Sequence, residues 1–144
     1  MYSSILVPTD GSDISRKAVQ TACSMARLCG AKLVILSVKE PFPYSAISEM
    51  QPVPPQEFYD AQERITSGWV NGALTAAKEA GVTCQGFTAE AVHPWEAILE
   101  HAKSQGCDLI VMASHGRRGL SALLLGSETT RVLTHSAVPV LVVR

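Results

Sequence analysis

Much that would announce a familiar chemistry is missing from this chain. It has no G-x-x-x-x-G-K-[ST] loop and no G-x-G-x-x-G turn, which disfavours ordinary P-loop nucleotidases and dinucleotide dehydrogenases. It has no G-x-S-x-G elbow, which disfavours α/β-hydrolases. Cys23, Cys29, Cys84 and Cys107 form no C-x-x-C pair, so they read as reduced thiols and not as a metal cluster or redox motif. His93, His101, His115 and His135 are scattered, with no H-E-x-x-H spacing for zinc. Charged residues are only 17% of the chain, and 12 basic against 13 acidic residues leave a net charge of −1. So balanced a chain has no strong positive field for a nucleic-acid backbone, and no nucleic-acid partner is expected. No apolar run approaches the roughly 20 residues a membrane span needs, and Met1-Tyr-Ser-Ser4 offers no basic region before its short apolar run. No membrane association and a cytoplasmic location are expected.

What is present is a regular alternation. The 144 residues, 47% of them hydrophobic, suit one domain spanning 1–144. Ser4 to Pro8 reads as a buried strand, with Pro8 at its end because it lacks an N–H. Thr9-Asp-Gly-Ser12 is turn chemistry. Ser12 can cap a helix with Ile14, Ala18, Val19, Ala22, Met25, Ala26 and Cys29 at helical spacing, and Gly30 closes it. Lys32 to Val38 is a second buried strand. Residues 39–55 carry five prolines and read as a loop. A long helix follows, from about Gln56 to Ala80, with Phe58, Ala61, Ile65, Trp69, Gly72 or Ala73, and Ala76 as its inward stripe. Val82 to Ala89 is a more polar strand. His93-Pro94 starts a third helix, with Pro94 at its favoured first position. His101 falls on that helix's surface. Asp108 to Ala113 is a fourth strand, and Ser114 to Leu125 a loop with one helical turn through Leu120–Leu125. Gly126-Ser127 opens a last short helix ending near His135, and Val138 to Val143 is the fifth strand. Strands alternating with helices predict an α/β fold: an open five-stranded parallel sheet, right-handed crossovers and helices on both faces.

Ligands of such sheets bind outside the carboxyl ends of the strands, at the switch in strand order. Thr9-Asp-Gly-Ser12, the loop after the second strand and Ala113 to Ser127 should meet there. Glycines let backbone N–H groups approach an anion, and a helix start presents free N–H groups and its positive dipole end. Gly116, Gly126 and Ser127 thus form a candidate phosphate cradle; the alternative is a glycine turn before an ordinary capped helix. Asp10 could serve a ligand or simply close an Asx turn. His115, Arg117 and Arg118 could contact phosphate or stay solvated. Trp69 and Trp95 read as packing residues.

Val7-Pro-Thr-Asp-Gly-Ser12, Leu36-Ser-Val38, Met112-Ala-Ser-His-Gly-Arg-Arg-Gly119, Leu125-Gly-Ser127 and Pro139-Val-Leu-Val-Val143 occur in that order along the whole chain. This set resembles the universal stress protein family. The resemblance implies a Rossmann-like sheet of the adenine nucleotide alpha hydrolase-like kind, in the order 3-2-1-4-5, and a homodimer. The ATP-binding branch carries Gly, two residues, Gly, nine residues, then Gly and Ser or Thr. Gly116, Gly126 and Ser127 match in register, while Ala113 stands where the first glycine belongs. One added methyl group is harmless unless that position needs positive φ or close ribose contact.

Carried over, the resemblance implies ATP with Mg²⁺ at the strand ends. Asp10 would face the nucleotide and its metal or ribose, and the Val38 backbone the adenine. Ser114, His115, Gly116, Gly126 and Ser127 would hold ribose and phosphates, with Pro8, Thr9, Met112, Arg117, Arg118 and Glu128 beside them. The expected function is an ATP-binding stress-response module with slow or no hydrolysis and a regulatory protein partner of unknown identity. A nucleotide-free dimer acting through protein contacts is the alternative. An adenylating ligase is a remote third, because Thr9-Asp-Gly-Ser12 is only faintly similar to its S-G-G-x-D-S loop. The dimer is expected through the last strand: the implied order puts it at an edge, and little but Pro139 and Arg144 blunts that apolar edge.

Overall fold

A computed structural model describes residues 1–42, 55–117 and 124–144. Nine elements alternate along it: β1 (Ser4–Pro8), α1 (Asp13–Cys29), β2 (Lys32–Lys39), α2 (Gln56–Glu79), β3 (Cys84–Glu90), α3 (Pro94–Ser104), β4 (Leu109–Ala113), α4 (Ser127–His135) and β5 (Val140–Val143). The five strands form one parallel sheet in the order β3-β2-β1-β4-β5. β1 lies at the centre, and Ile5, Leu6 and Val7 are completely buried.

The apolar runs split between two layers, as a pleat of period two requires. Ile5, Val7, Leu33, Ile35 and Val111 face Ala18 and Ala22 of α1 and Val70, Ala73 and Ala77 of α2. Leu6, Val34, Leu36, Ile110 and Met112 face Ile98 and Ala102 of α3 and Val132 of α4. Both faces are therefore covered, which explains why the inner strands are apolar without alternation. The expected α1 signals act as read: the Ser12 hydroxyl accepts from the Ser15 N–H, and the helix stops at Gly30.

Three readings need correction. The inward stripe of α2 is Thr66, Val70, Ala73 and Ala77, so of the expected set only Ala73 belongs to it. Ile65 is 45% exposed. The inner face uses small residues because β3 lies close: a Cβ on Gly86 would sit 2.4 Å from Val70 Cγ1 and 2.9 Å from Leu74 Cδ1. Secondly, β5 begins at Val140, not Val138. Pro139 has no N–H to give and contributes only its carbonyl, which accepts from the Ile110 N–H. Thirdly, His101 is half-buried and not on an open helix surface. Its ring packs edge-on to Phe87 at 4.7 Å with Nε2 buried and unpartnered, and burial pushes its pKa below the usual histidine value. Residues 120–123 of the expected turn and most of the proline-rich stretch lie outside the described residues, and Leu124 and Leu125 are not helical.

Gly86 yields a prediction against strand propensity. Valine is favoured in strands, yet Gly86→Val is expected to destabilise by about 2 kcal/mol, because Val70 is a stiff, buried neighbour that cannot swing aside. Thermal denaturation of the variant checks this; an unchanged or raised Tm would refute the close contact.

Candidate functional site

β1 hands its chain to the site through one more sheet bond, Thr9 N–H to the Leu36 carbonyl. The backbone then turns at Gly11, whose φ of 76° is left-handed and costs glycine little. Asp10 closes the expected Asx turn: its Oδ1 accepts from the Ser12 N–H and hydroxyl. It also does something local pattern does not show. Oδ2 accepts from the Arg117 N–H at 2.9 Å, across 107 residues of chain. One carboxylate thus ties the loop after β1 to the loop after β4. Burial alone would raise its pKa, but hydrogen bonds from Ser12 and Arg117 outweigh burial and hold the carboxyl below its ordinary value.

The second loop is anchored at several points. Ser114 donates its N–H to the Val143 carbonyl, and its own carbonyl accepts from the Gly126 N–H at 2.7 Å. The Thr129 hydroxyl donates to the Ala113 carbonyl. Among the described residues no non-glycine has positive φ, so Ala113 fits its backbone without strain. The glycines here matter for space. A Cβ on Gly116 would lie 3.0 Å from Asp10 Oδ2, and one on Gly126 3.1 Å from His115 Cα. His115 Nδ1 lies 3.2 Å from the Ser114 hydroxyl. Gly126 caps α4 without any side-chain hydrogen bond, so the first-turn amides and the positive end of the helix dipole remain available to an anion.

These loops border a cleft of about 820 Å³, a volume suited to a small-molecule ligand. Its β2 side is largely apolar, with Leu36, Val38, Ile65, Val92 and Ile98, beside Glu40 and Gln62. Its β4 side is polar, with His115, Gly116, Gly126 and Ser127, and Asp10 lies between the two. Of the expected site residues, Pro8, Thr9, Asp10, Val38, Met112, His115, Gly116, Arg117, Gly126, Ser127 and Glu128 all line the cleft. Ser114 is buried behind the loop. Arg118 lies outside the described residues. Glu128 lines the cleft, but its carboxylate accepts from the Trp95 N–H at 2.7 Å and so joins the first turns of α3 and α4.

Trp69 was read as packing and belongs instead to the wall of the cleft. Its indole lies against Gly11, where a Cβ would stand 2.1 Å from Nε1, and it carries the Arg117 guanidinium 4.8 Å from the ring centroid. The signal was helix length. With 24 residues, α2 spans about 36 Å, longer than the strands it covers, so its first half reaches past their carboxyl ends. Among the described residues no group of three or more His, Cys, Asp or Glu could hold a metal ion, and no helix is long and apolar enough to cross a membrane.

A cleft at the carboxyl ends of a 3-2-1-4-5 parallel sheet defines a Rossmann-like α/β protein. The chain belongs to the universal stress protein family, whose model matches residues 1–144. It is 34% identical over 150 residues to the universal stress protein YxiE of Bacillus subtilis (strain 168), with 100% of each chain covered. It is similar in structure to MJ0577 of Methanocaldococcus jannaschii, with a TM-score of 0.83 and 27% identity over 99% of this chain and 96% of that one. A universal stress protein solved in complex with cAMP matches with a TM-score of 0.74 and 28% identity, over 99% and 97% of the two chains.

Proposed function

We propose that this protein is an ATP-binding regulatory module that holds its nucleotide in the cleft at the strand ends. One observation carries this reading: glycine loops at Gly116 and Gly126 and the start of α4, free of any side-chain cap, stand across the cleft from a largely apolar wall. An anionic tail suits the first and a heterocyclic base the second. The cAMP complex of the relative supports an adenine nucleotide as ligand. In this reading the Val38 backbone and Met112 meet the base, His115, Gly116, Gly126 and Ser127 hold ribose and phosphates, and Pro8 and Thr9 floor the site. Asp10 Oδ2, with one lone pair left beside its bond to Arg117, is the protein oxygen offered to Mg²⁺. A single carboxylate plus ligand phosphates is an ordinary arrangement for that ion.

Hydrolysis is slow in this reading, because Asp10 is engaged by Ser12 and Arg117 and His115 lies beside Ser114, leaving no free base aimed at a water. The 144 residues act as one domain in the cytoplasm, in stress physiology, as family membership suggests. Calorimetry with Mg-ATP, together with mass spectrometry of ligand released from fresh protein, tests the reading. Absence of both heat and co-purified nucleotide would favour a nucleotide-free protein acting through protein contacts.

The working unit is proposed as a homodimer through β5, an edge strand paired on one side only. Leu141 there is 38% exposed, and natural proteins seldom leave such an edge bare. Light scattering should give twice the chain mass of 15.4 kDa. Leu141→Asp should shift the protein toward monomer, because the partner would bury an unpaired carboxylate. A monomeric wild type would remove the dimer; a dimeric variant would move its interface elsewhere.

A further inference from the structure

The contact between Arg117 and Trp69 has no role in the fold that other bonds do not already supply. The backbone of Arg117 is fixed by its N–H on Asp10, and Trp69 is seated by Gly11. The guanidinium itself is exposed and rests on one face of the indole. An exposed guanidinium gains little from the face of the half-buried indole, whereas a guanidinium on phosphate makes paired, charge-assisted hydrogen bonds. The base of the arm is pinned at the polar side of the cleft, and the arm is free to exchange a weak partner for a strong one.

We propose that Trp69 and Arg117 form a phosphate-responsive pair that makes the cleft prefer nucleoside polyphosphates to monophosphates. This rests on the nucleotide reading of the cleft. The structure has Arg117 on Trp69. A ligand with a β- or γ-phosphate draws the guanidinium away, and the indole face loses its cation. A monophosphate is too short to do so and leaves the pair in place. Gly11 belongs to the device, since any side chain there would unseat the indole.

The test uses the full chain with ATP, ADP and AMP, following binding by calorimetry and tryptophan emission in parallel. Excitation is at the red edge of the indole band, clear of adenine absorption. ATP and ADP are expected to change the emission and AMP at saturation to leave it unchanged. Trp69→Phe should abolish the change while Trp95 remains. Arg117→Gln should lower the ratio of ATP to AMP affinity about tenfold. Binding of ATP with no change at Trp69, or an Arg117→Gln variant with an unaltered ratio, would overturn the proposal and leave the nucleotide site standing. No heat with any of the three nucleotides would overturn both.

Discussion

Gly126→Val is expected to weaken nucleotide binding at least tenfold, about 1.4 kcal/mol. The backbone angles are not the obstacle. At φ −62° and ψ 156° Gly126 is in extended backbone that any residue adopts. Space is the obstacle: its Cβ would stand 3.1 Å from His115 Cα and 3.4 Å from the Ser114 carbonyl. Those atoms belong to the anchored loop after β4, which cannot retreat without giving up its bond from the Gly126 N–H. The branched side chain must therefore push the two halves of the phosphate cradle apart and enter the space a phosphate would use. Titration calorimetry against the wild type, with circular dichroism to confirm folding, measures the loss. Equal affinity in a folded variant would place the ligand elsewhere.

The second large effect belongs to Asp10. Asp10→Ala removes hydrogen bonds to a charged acceptor from both loops at once and should cost about 2–3 kcal/mol of stability. Nucleotide affinity should fall with it, since nothing else described joins the Asp10 and Arg117 backbones. The charge also sets a pH dependence. A carboxyl held below its ordinary value of 3.8 stabilises the fold fully above that value. It loses this contribution as pH falls through the lower, folded-state value. Urea denaturation across the acid range should therefore show a shallower acid loss in Asp10→Asn than in the wild type. Parallel curves would mean that the tie carries no charge-dependent stability.

The strands and the caps of α1 were legible because each rests on a local signal, whereas the order of the strands in the sheet was implied only by the family resemblance. Apolar runs such as Leu33 to Leu36 are too short for helices and too continuous for exposed strands, and Ser12 sits one residue ahead of a helical period. The glycine loop was legible through its spacing. What failed did so because distance along the chain hid it. Asp10 looked like an Asx turn and is one, but its second oxygen is spent on Arg117. Glu128 lines the cleft as expected, and what the sequence did not show is that its Oε2 accepts from the Trp95 backbone N–H on another helix. In α2 the large residues Ile65 and Trp69 marked the cleft, while the core side was left to Thr66, Val70, Ala73 and Ala77. Hydrophobic size marks burial only where a helix covers the sheet, and α2 starts beyond it.

The central place of β1 has a consequence for synthesis. During synthesis β1 can pair first with β2, but its other edge waits for β4, more than 100 residues later. The Asp10–Arg117 bond closes the same long circuit. Such non-local pairings form slowly and late. The cleft therefore has no existence in the nascent chain until β4 and the loop after it have been made. If the cleft binds a nucleotide as proposed, the ligand's binding free energy adds to the stability of the folded state alone. In that reading nucleotide supply would also govern how long each folded molecule survives against proteolysis.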